Sequence, residues 1–464
     1  MNFTDLVDLA AERLGGVALE ANDEFFAAKE NLLKPGRGAW IDDKYTDRGK
    51  WMDGWETRRR RTPGHDWCLI KLGLPGVVRG VDVDTNHFKG NFPEACSIDA
   101  RVGDDGDWDE ILPKAPLQGH AQNRFEIREP RLWTHVRLNI HPDGGVARLR
   151  VYGEAVPSPA QLAGTIDLAA VGNGGVVVVA NDEFFGSRRN LILPGDAINM
   201  GDGWETRRRR GAGHDWVVVR LGAAGIVRRA EVDTSHFKGN SPGSCWVEAA
   251  DAAEGPWREL LVRTELGPDR KHAFEVNGPA RFVRLSIHPD GGVARLRLWG
   301  EVTPEGFREA GTKRLNALHR SVAILELMKC CGSRRWAERV ADARPLATFE
   351  ALVETAERVW SELGRDDWLE AFGAHPRIGE RGEESWSQKE QAGVKPSAAL
   401  VEANRAYEAK FGHVFLICAT GRSGDEILAR CRERMSNAPE AELRVAAEEQ
   451  RQIARLRLEK MMKP

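Results

Sequence analysis

The chain has 464 residues, of which 41% are hydrophobic and 30% charged, and its formal net charge is −3 at pH 7. This length is enough for about three domains of roughly 100–200 residues each, and the balanced charge argues against a nucleic-acid partner. No run reaches the ~18 apolar residues of a membrane span, and the acidic N-terminal segment does not resemble a secretory signal. Seven scattered cysteines without a Cys-x-x-Cys pair predict neither a disulfide framework nor a zinc site, so we expect a cytoplasmic protein.

Four strings of residues occur twice in the first two thirds of the chain. They are ANDEFF (21–26 and 180–185), DGWETRRRR (53–61 and 202–210), VDT-x-HFKGN (83–91 and 232–240) and IHPDGGVARLR (140–150 and 287–297). A period this long indicates a duplicated domain, because solenoid units have only ~20–50 residues. The first copy also carries an insert at 36–51. The repeated residues are mostly charged, aromatic or glycine, which predicts that the duplication preserves a site.

Short apolar or alternating runs separated by Gly, Pro and Asp-Gly turns predict strands in this part of the chain. The clearest runs are 176–180, 216–221, 229–232, 281–287 and 294–299. Many short strands favour β-sandwich or jelly-roll domains. We place two of them at 1–158 and 165–304, joined by a linker at 156–164.

The last third has a different texture, with apolar residues at helical spacing. Such spacing occurs at 315–328 and 349–360, and 441–462 reads as a long amphipathic helix. We therefore predict an all-α domain at 308–464. The predicted fold class is multidomain β plus α, with two tandem β-sandwiches followed by a helical domain.

The arginine run of each repeat is a candidate anion site. If it formed a strand, Arg58 and Arg60 would share one face, as would Arg207 and Arg209. Two guanidinium groups on one face suit a carboxylate or a urea-like carbonyl. The alternative is a solvated basic edge that discourages strand pairing.

Histidine and lysine also occupy equivalent positions in the two copies. They are His87, Lys89 and His141 in the first copy and His236, Lys238 and His288 in the second. A neutral imidazole at a strand end could be a metal ligand or a general base. His141 and His288 precede Pro-Asp-Gly-Gly and could equally anchor a turn.

Two further groups of polar residues are repeated. Asn22, Asp23 and Glu24 could bind a cation or amide groups, or could form an Asx-type turn or helix cap. His65 and His214, in Gly-His-Asp-Trp, are predicted to be structural.

The repeated strings resemble allantoicase in both of its tandem domains. The resemblance spans about residues 1–302 and implies galactose-binding-like β-sandwiches that release urea from allantoate and leave ureidoglycolate.

The resemblance does not assign the catalytic residue, so His87 and His236 are candidates on chemical grounds alone. Glu56 and Glu205 join the arginines, the lysines, His141 and His288 as candidate substrate ligands. A divalent metal such as manganese would suit His and carboxylate ligands, although the sequence shows none. The rival hypothesis is a ligand-binding module without catalysis.

The helical third has its own set of polar motifs. His375 stands in a Pro-containing turn where it could act chemically or cap a helix, and Glu390 could be the capping-box partner of Ser387. The full set comprises CCGSRRWAERV (330–340), HPRIGE (375–380), SQKEQAG (387–393), N-x-x-Y-x-x-KFG (404–412), F-x-ICATGRS (415–423) and IARLRLEK (453–460).

This set resembles OHCU decarboxylase, which converts 2-oxo-4-hydroxy-4-carboxy-5-ureidoimidazoline into (S)-allantoin and CO2. The resemblance implies His375 and Glu390 as catalytic residues and Arg457 as the arginine that holds the substrate, with Arg455 as the alternative. It also implies a cofactor-free reaction. Other residues expected in this pocket are Pro376, Ser387, Gln391 and the main chain of Cys418–Gly421. His413 departs from the apolar residue that we expect after Phe-Gly.

Together the two resemblances predict a bifunctional enzyme of urate breakdown. Its partners would be small ureides, allantoate and OHCU, and we expect a homo-oligomer without nucleic-acid or membrane partners. The two reactions are not consecutive, because the allantoin ring must be opened between them.

Overall fold

The computed structural model describes residues 2–375, 397–419 and 422–464. The chain divides into two compact units, Met1–Ala310 and Gly311–Pro464. No helix within these described residues is long and apolar enough to cross a membrane.

The first unit contains two β-rich repeats. The strands of the first repeat are β1 (Val7–Asp8), β2 (Val17–Ala21), β3 (Tyr45–Thr46), β4 (Gly49–Lys50), β5 (Trp55–Glu56), β6 (Asp66–Asp84), β7 (Ala95–Arg101), β8 (Asp109–Pro116), β9 (Gln122–Glu126), β10 (Leu132–His141), β11 (Gly145–Val146) and β12 (Arg148–Ala155). Those of the second are β13 (Thr165–Asp167), β14 (Val176–Ala180), β15 (Trp204–Glu205), β16 (Asp215–Asp233), β17 (Ser244–Ala250), β18 (Arg258–Glu265), β19 (Lys271–His288), β20 (Gly292–Val293) and β21 (Arg295–Val302). Short 3₁₀ turns lie at Phe3–Asp5, Glu12–Leu14, Lys29–Leu33, Pro159–Leu162, Val171–Asn173, Arg188–Ile192 and Met200–Asp202.

The two repeats share one strand order. It is β1-β12-β6-β10-β7-β8 in the first and β13-β21-β16-β19-β17-β18 in the second, with β2 and β9 added to β6 and β14 added to β16. Small two-stranded ladders pair β5 with β11 and β15 with β20. The hairpin β3–β4 lies in the insert of the first repeat. The predicted tandem jelly-roll-like β-sandwiches are confirmed.

Each repeat is organised around one long strand, β6 or β16. Sequence reasoning treated 216–221 and 229–232 as separate strands, but both lie within β16. The pairing register with β19 shifts between Arg220 and Gly225, and on its other edge β16 pairs with β14 before this point and with β21 after it. Gly222 lies within the shift and leaves no room for a side chain, since a Cβ on it would lie 1.8 Å from the carbonyl oxygen of Asn173.

The core of each sandwich follows from strand alternation. Cys68 and Ile70 on β6 are fully buried, as are Val136, Leu138 and Ile140 on the neighbouring β10. Because alternate side chains of a strand point to opposite faces, the intervening residues are free to carry polar groups.

The two repeats contact each other through arginines. Arg189 Nη1 donates hydrogen bonds to the carbonyl oxygens of Thr4 (2.7 Å) and Leu6 (2.9 Å). Arg220 Nη2 lies 2.6 Å from Glu154 Oε2. These bonds tie the second repeat to both ends of the first.

The second unit is helical. Its described helices are α1 (Pro304–Ala317, which begins in the first unit), α2 (Arg320–Cys330), α3 (Arg334–Asp342), α4 (Phe349–Ser361), α5 (Arg365–Gly373), α6 (Ala398–Phe411), α7 (Gly424–Arg434) and α8 (Pro439–Met462). The apolar spacing at 315–328 spans two helices rather than one. Arg344 Nη1 donates to the carbonyl oxygens of Leu315 (2.6 Å) and Leu318 (2.7 Å), which would otherwise continue the helical ladder.

Candidate active sites

The four repeated strings meet in one place in the first repeat. Strand β5 carries Trp55 and Glu56 and pairs with Gly145 on β11. Asn91 Nδ2 donates to Glu56 Oε1 at 2.7 Å, and Gly145 N donates to Asn91 O at 2.7 Å. Trp55 Nε1 donates to the carbonyl oxygen of Asp23 at 2.8 Å. Residues from all four strings therefore take part in one connected group, to which the second string contributes both Trp55 and Glu56.

The second repeat builds the same group. Trp204 Nε1 donates to Asp182 O at 2.7 Å, and Gly292 N donates to Asn240 O at 2.9 Å. Asn240 Nδ2 also donates to Glu205. The convergence explains why polar residues are shared between the repeats. Asn91 and Asn240 were not selected as candidates, although both belong to a repeated string.

The arginine run does not form the strand face that the sequence suggested. β5 ends before it, and Arg60 N donates to the Asp143 side chain (2.8 Å) instead of a ladder partner. Arg58 Nε lies 2.6 Å from Asp23 Oδ2, and Arg60 Nη1 lies 2.6 Å from Asp66 Oδ1. Each guanidinium is thus held by its own carboxylate, and Arg207 and Arg209 repeat the pattern with Asp182 and Asp215.

Exposure separates the two arginines of each pair. The side chain of Arg58 is 63% exposed and that of Arg207 65%, against 24% for Arg60 and 30% for Arg209. The exposed guanidinium of Arg58 also lies over the Phe25 ring, 5.3 Å from its centroid. Arg58 and Arg207 can reach a solute, whereas Arg60 and Arg209 brace buried carboxylates.

Asp23 forms the Asx-type turn considered as an alternative and also holds Arg58. Its Oδ1 accepts the Phe25 N–H at 3.0 Å. Burial alone would raise the pKa of Asp23, but the hydrogen bonds from Phe25 and Arg58 outweigh burial and keep that pKa below its usual value. Asp23 is therefore a permanent anion that fixes the direction of Arg58.

Glu56 has the opposite electrostatic character. Its carboxyl is half-buried, and burial raises its pKa although the Asn91 amide stabilises the charged form. A half-buried carboxyl with a raised pKa is a candidate for proton transfer.

His87 and His236 adopt positive φ values of 69° and 72°. His87 packs between the rings of Trp40 (5.6 Å) and His120 (5.4 Å). His236 Nε2 lies 2.8 Å from the carbonyl oxygen of Ala197. The structure thus links His87 to the insert of the first repeat. The neighbouring lysines, Lys89 and Lys238, are exposed, and Lys238 lies 3.7 Å from Asp269.

His141 belongs to a cluster that sequence reasoning did not find. Its Nε2 lies 3.1 Å from Ser97 Oγ, and its ring centroid lies 4.8 Å from that of His65. Burial lowers the pKa of His141, and the neighbouring charges of His65 and Lys114 lower it further. Because Asp66 N donates to Pro142 O (3.2 Å), the cluster adjoins the Arg60–Asp66 pair. Ser97 lies outside the repeated strings, and the equivalent position in the other repeat is Trp246, so the strings gave no signal for it. The copy of His141 in the second repeat, His288, ends β19 next to Ser244 of β17.

Within the described parts of the chain, no group of three or more His, Cys, Asp or Glu side chains is placed to hold a metal ion.

In the second unit, His375 follows the end of α5. It is half-buried, and its N–H donates to Phe372 O at 3.1 Å. The other predicted pocket residues, Pro376, Ser387, Glu390 and Gln391, lie outside the described residues.

Arg457 on α8 is only 6% exposed. Burial raises the pKa of the Cys330 and Cys331 thiols, and the nearby Arg457 charge opposes that rise. The following residue, Gly332, packs against Ala374, since a Cβ on it would lie 2.3 Å from the Ala374 Cβ. The Cys-Cys-Gly segment therefore connects Arg457 with the end of α5 that carries His375.

Arg455 occupies a different environment. Its side chain is 63% exposed, and Nη1 lies 3.7 Å from Glu357 Oε1. Of the two candidate arginines, Arg457 is the one directed into the unit.

The departure at His413 is accommodated by aromatic packing. Its ring lies 5.2 Å from that of Phe372 and 5.5 Å from that of Tyr407. Burial lowers the pKa of His413, which favours its neutral form. Of the main-chain stretch Cys418–Gly421 that we expect to hold substrate, the Cys418 N–H donates to Glu449 Oε2 at 2.8 Å, and residues 420 and 421 lie outside the described residues.

Comparison with known proteins agrees with this division. The Allantoicase repeat family matches residues 7–156 and 166–303, and the OHCU decarboxylase family matches 316–459. Probable allantoicase 1 of Burkholderia mallei is 51% identical over 63% of this chain and 94% of its own length. The crystal structure of allantoicase from Saccharomyces cerevisiae is 39% identical, with a TM-score of 0.56, and the match covers 63% of this chain and 92% of that one. A crystal structure of OHCU decarboxylase in the presence of (S)-allantoin is 40% identical over 30% of this chain and 96% of that one, with a TM-score of 0.27.

Duplicated sandwiches with a preserved polar group, followed by a helical unit, define a bifunctional enzyme of urate catabolism. The chain belongs to the allantoicase family, and its last third is an OHCU decarboxylase domain. Both resemblances drawn from the motifs are confirmed. The enzymatic hypothesis for the repeats is favoured over the binding module.

Proposed function

We propose that the first unit hydrolyses allantoate to ureidoglycolate and urea, and that the second decarboxylates OHCU to (S)-allantoin. The convergence of the four repeated strings around Glu56, with the exposed Arg58 held by Asp23 of the first string, carries the first assignment. Allantoate has one carboxylate and two ureido groups on a single carbon. An exposed guanidinium suits the carboxylate, and a carboxyl with a raised pKa suits proton transfer to a ureido nitrogen.

The remaining candidates of the repeats keep the roles suggested by their chemistry. His87 after the end of β6, or its copy His236 after the end of β16 if the second repeat is active, is a proposed catalytic group, with Lys89 or Lys238 beside it as a substrate ligand. A divalent metal in this unit stays a prediction, tested by measuring urea release before and after treatment with a chelator.

In the second unit, His375 is proposed to engage the substrate hydroxyl and Glu390 to position or shuttle the proton. Arg457 is proposed to hold polar groups of the substrate, and its burial beside the segment that reaches α5 supports this choice over Arg455. The chemistry needs no cofactor in principle: the ring carbonyl can delocalise the electron density left by CO2, and protonation then quenches it.

The organisation of the chain is proposed as 1–158, 165–304 and 308–464. A cytoplasmic location and a homo-oligomeric state also remain predictions, the second testable by sedimentation equilibrium.

The direct test is the full chain with two substrates. The wild-type protein should release urea from allantoate and CO2 from OHCU. His375→Ala should lower decarboxylation by about 10²–10⁴-fold, the usual contribution of a general acid or base, while urea release from the same preparation persists. No urea from allantoate, with metal supplied, would favour a binding module. Unchanged decarboxylation would remove His375 from the mechanism.

A further inference from the structure

One difference between the two repeats lies at a single position beside the predicted site. Ser97 on β7 and Trp246 on β17 each follow a buried cysteine in the same register: Ser97 pairs with Asn139 and Trp246 with Ser286. The two side chains therefore project from equivalent places in the two sandwiches.

In the first repeat this place holds a small polar network. Asn139 Nδ2 donates to Ser97 Oγ at 3.2 Å and to Asp99 Oδ2 at 2.9 Å. Ser97 Oγ in turn lies 3.1 Å from His141 Nε2. The His65 ring beside His141 is exposed, so this pair of imidazoles is open to solvent on one side.

In the second repeat an indole fills the equivalent place. The Trp246 ring centroid lies 4.5 Å from that of His214, which is half-buried where His65 is exposed. Arg263 reaches across the indole, with its guanidinium carbon 5.9 Å from the ring centroid and its Nε 2.9 Å from Ser244 Oγ. A solute that reaches His141 in the first repeat meets Trp246 in the second.

His87 and His236 also differ between the two repeats in what their rings contact. The His236 ring is bound to the carbonyl oxygen of Ala197 (2.8 Å), whereas the His87 ring lies between the rings of Trp40 and His120. Trp40 belongs to the insert of the first repeat, so two independent differences distinguish the same pair of sites.

We propose that allantoate is hydrolysed in the first repeat only, with His141 as its proton-transfer residue and Ser97 as the residue that positions it, while Trp246 closes the second site. This inference rests on the proposed allantoicase activity. The oxygen of a water molecule bonds to the carbon that carries both ureido groups, and the bond from that carbon to one ureido nitrogen breaks. His141 takes a proton from the water, and the Glu56 carboxyl gives its proton to the leaving nitrogen; transfer of the water-derived proton from His141 to Glu56 then restores both groups, so the products are urea and ureidoglycolate.

The charged groups that face His141 give this assignment a pH signature. They are His65 from the loop before β6, Lys114 on β8 and Asp99 on β7. A base must be neutral to accept a proton, so urea release falls as pH drops through the pKa of His141. Removing the nearby positive charge of His65 raises that pKa and moves the acidic limb of kcat/KM to higher pH.

The test exchanges the distinguishing residues in the full chain. Ser97→Trp should lower kcat for urea release by on the order of 100-fold or more, and Trp246→Ser should leave it unchanged. CO2 release from OHCU by the same samples reports that the rest of the chain is intact. His65→Gln should move the acidic limb to higher pH, and the matched His214→Gln should not.

The possible outcomes distinguish a failure of the single-site proposal from a failure of the proposed allantoicase activity. A folded Ser97→Trp protein that keeps its urea release, or a Trp246→Ser protein that loses as much as Ser97→Trp, would overturn the single-site proposal. If Ser97→Trp does not fold, the comparison of His65→Gln with His214→Gln decides. The single-site proposal is overturned if the two variants shift the acidic limb equally, or if neither shifts it. A wild-type chain that releases no urea would refute the allantoicase activity itself.

Discussion

A buried carboxylate joins three helices of the second unit and allows a quantitative prediction. Glu442 on α8 is fully buried. Its Oε1 accepts hydrogen bonds from the Tyr407 hydroxyl of α6 and from Arg434 Nε of α7, the latter at 2.8 Å. Its Oε2 accepts from Asn437 Nδ2 at 2.7 Å. Glu442→Gln keeps the shape of the side chain and one acceptor oxygen but removes the negative charge.

The size of the stability loss in Glu442→Gln follows from the burial of its partner, Arg434. The Arg434 side chain is only 8% exposed, so the substitution leaves a cation buried without its counter-charge. Breaking a buried pair by removing one partner costs about 3–5 kcal/mol. At roughly 2–4 °C per kcal/mol for a unit of this size, the unfolding midpoint should fall by about 6–20 °C.

The assay heats the full chain and follows both activities. For Glu442→Gln, decarboxylation should be lost at a lower temperature than in the wild type, while the midpoint for urea release stays in place. Glu433→Gln is the matched control, because Glu433 and Arg430 form a pair whose side chains are 65% and 56% exposed. Such a surface pair contributes no more than about 1 kcal/mol. Equal shifts for the two variants would refute the claim that the network stabilises the unit.

Two further predictions concern the proposed sites. Arg457→Gln should lower kcat/KM for OHCU by about 10–150-fold, because it removes a hydrogen bond to a charged group worth about 1.5–3 kcal/mol. Substitution of the exposed Arg455 by Gln should have little effect. Initial rates of CO2 release measure both variants, and equal losses would contradict the choice of Arg457. Glu56→Gln should abolish most urea release yet stabilise the protein at pH 7. Burial raises the pKa of Glu56 in the folded state, so its contribution to stability is full below its unfolded pKa and is lost as pH rises through the raised value. Denaturant unfolding of wild type and variant at pH 4 and pH 7 measures this, and a Glu56→Gln protein less stable than wild type at pH 7 would show that the sign is wrong.

Local patterns predicted some elements well and others only in part. The apolar run 176–180 is β14 as observed, and the amphipathic pattern at 441–462 lies within α8, which begins at Pro439. The runs 216–221 and 229–232 belong to one strand because β19 pairs with β16 along both of them, which the local apolar pattern does not show. The apolar spacing at 315–328 did not reveal the break between α1 and α2, where the carbonyl oxygens of Leu315 and Leu318 accept hydrogen bonds from Arg344, a residue remote in sequence.

The sequence by itself determined the duplication, the division into β-rich and helical parts and the identity of both families. These follow from repeated strings and periodicity, which are local and need no knowledge of the fold. Only the tertiary structure decided that Arg58 is exposed while Arg60 braces Asp66, and that Ser97 meets His141 while Trp246 covers His214. Ser97 and His141 are 44 residues apart, and only the pairing of β7 with β10 brings them together.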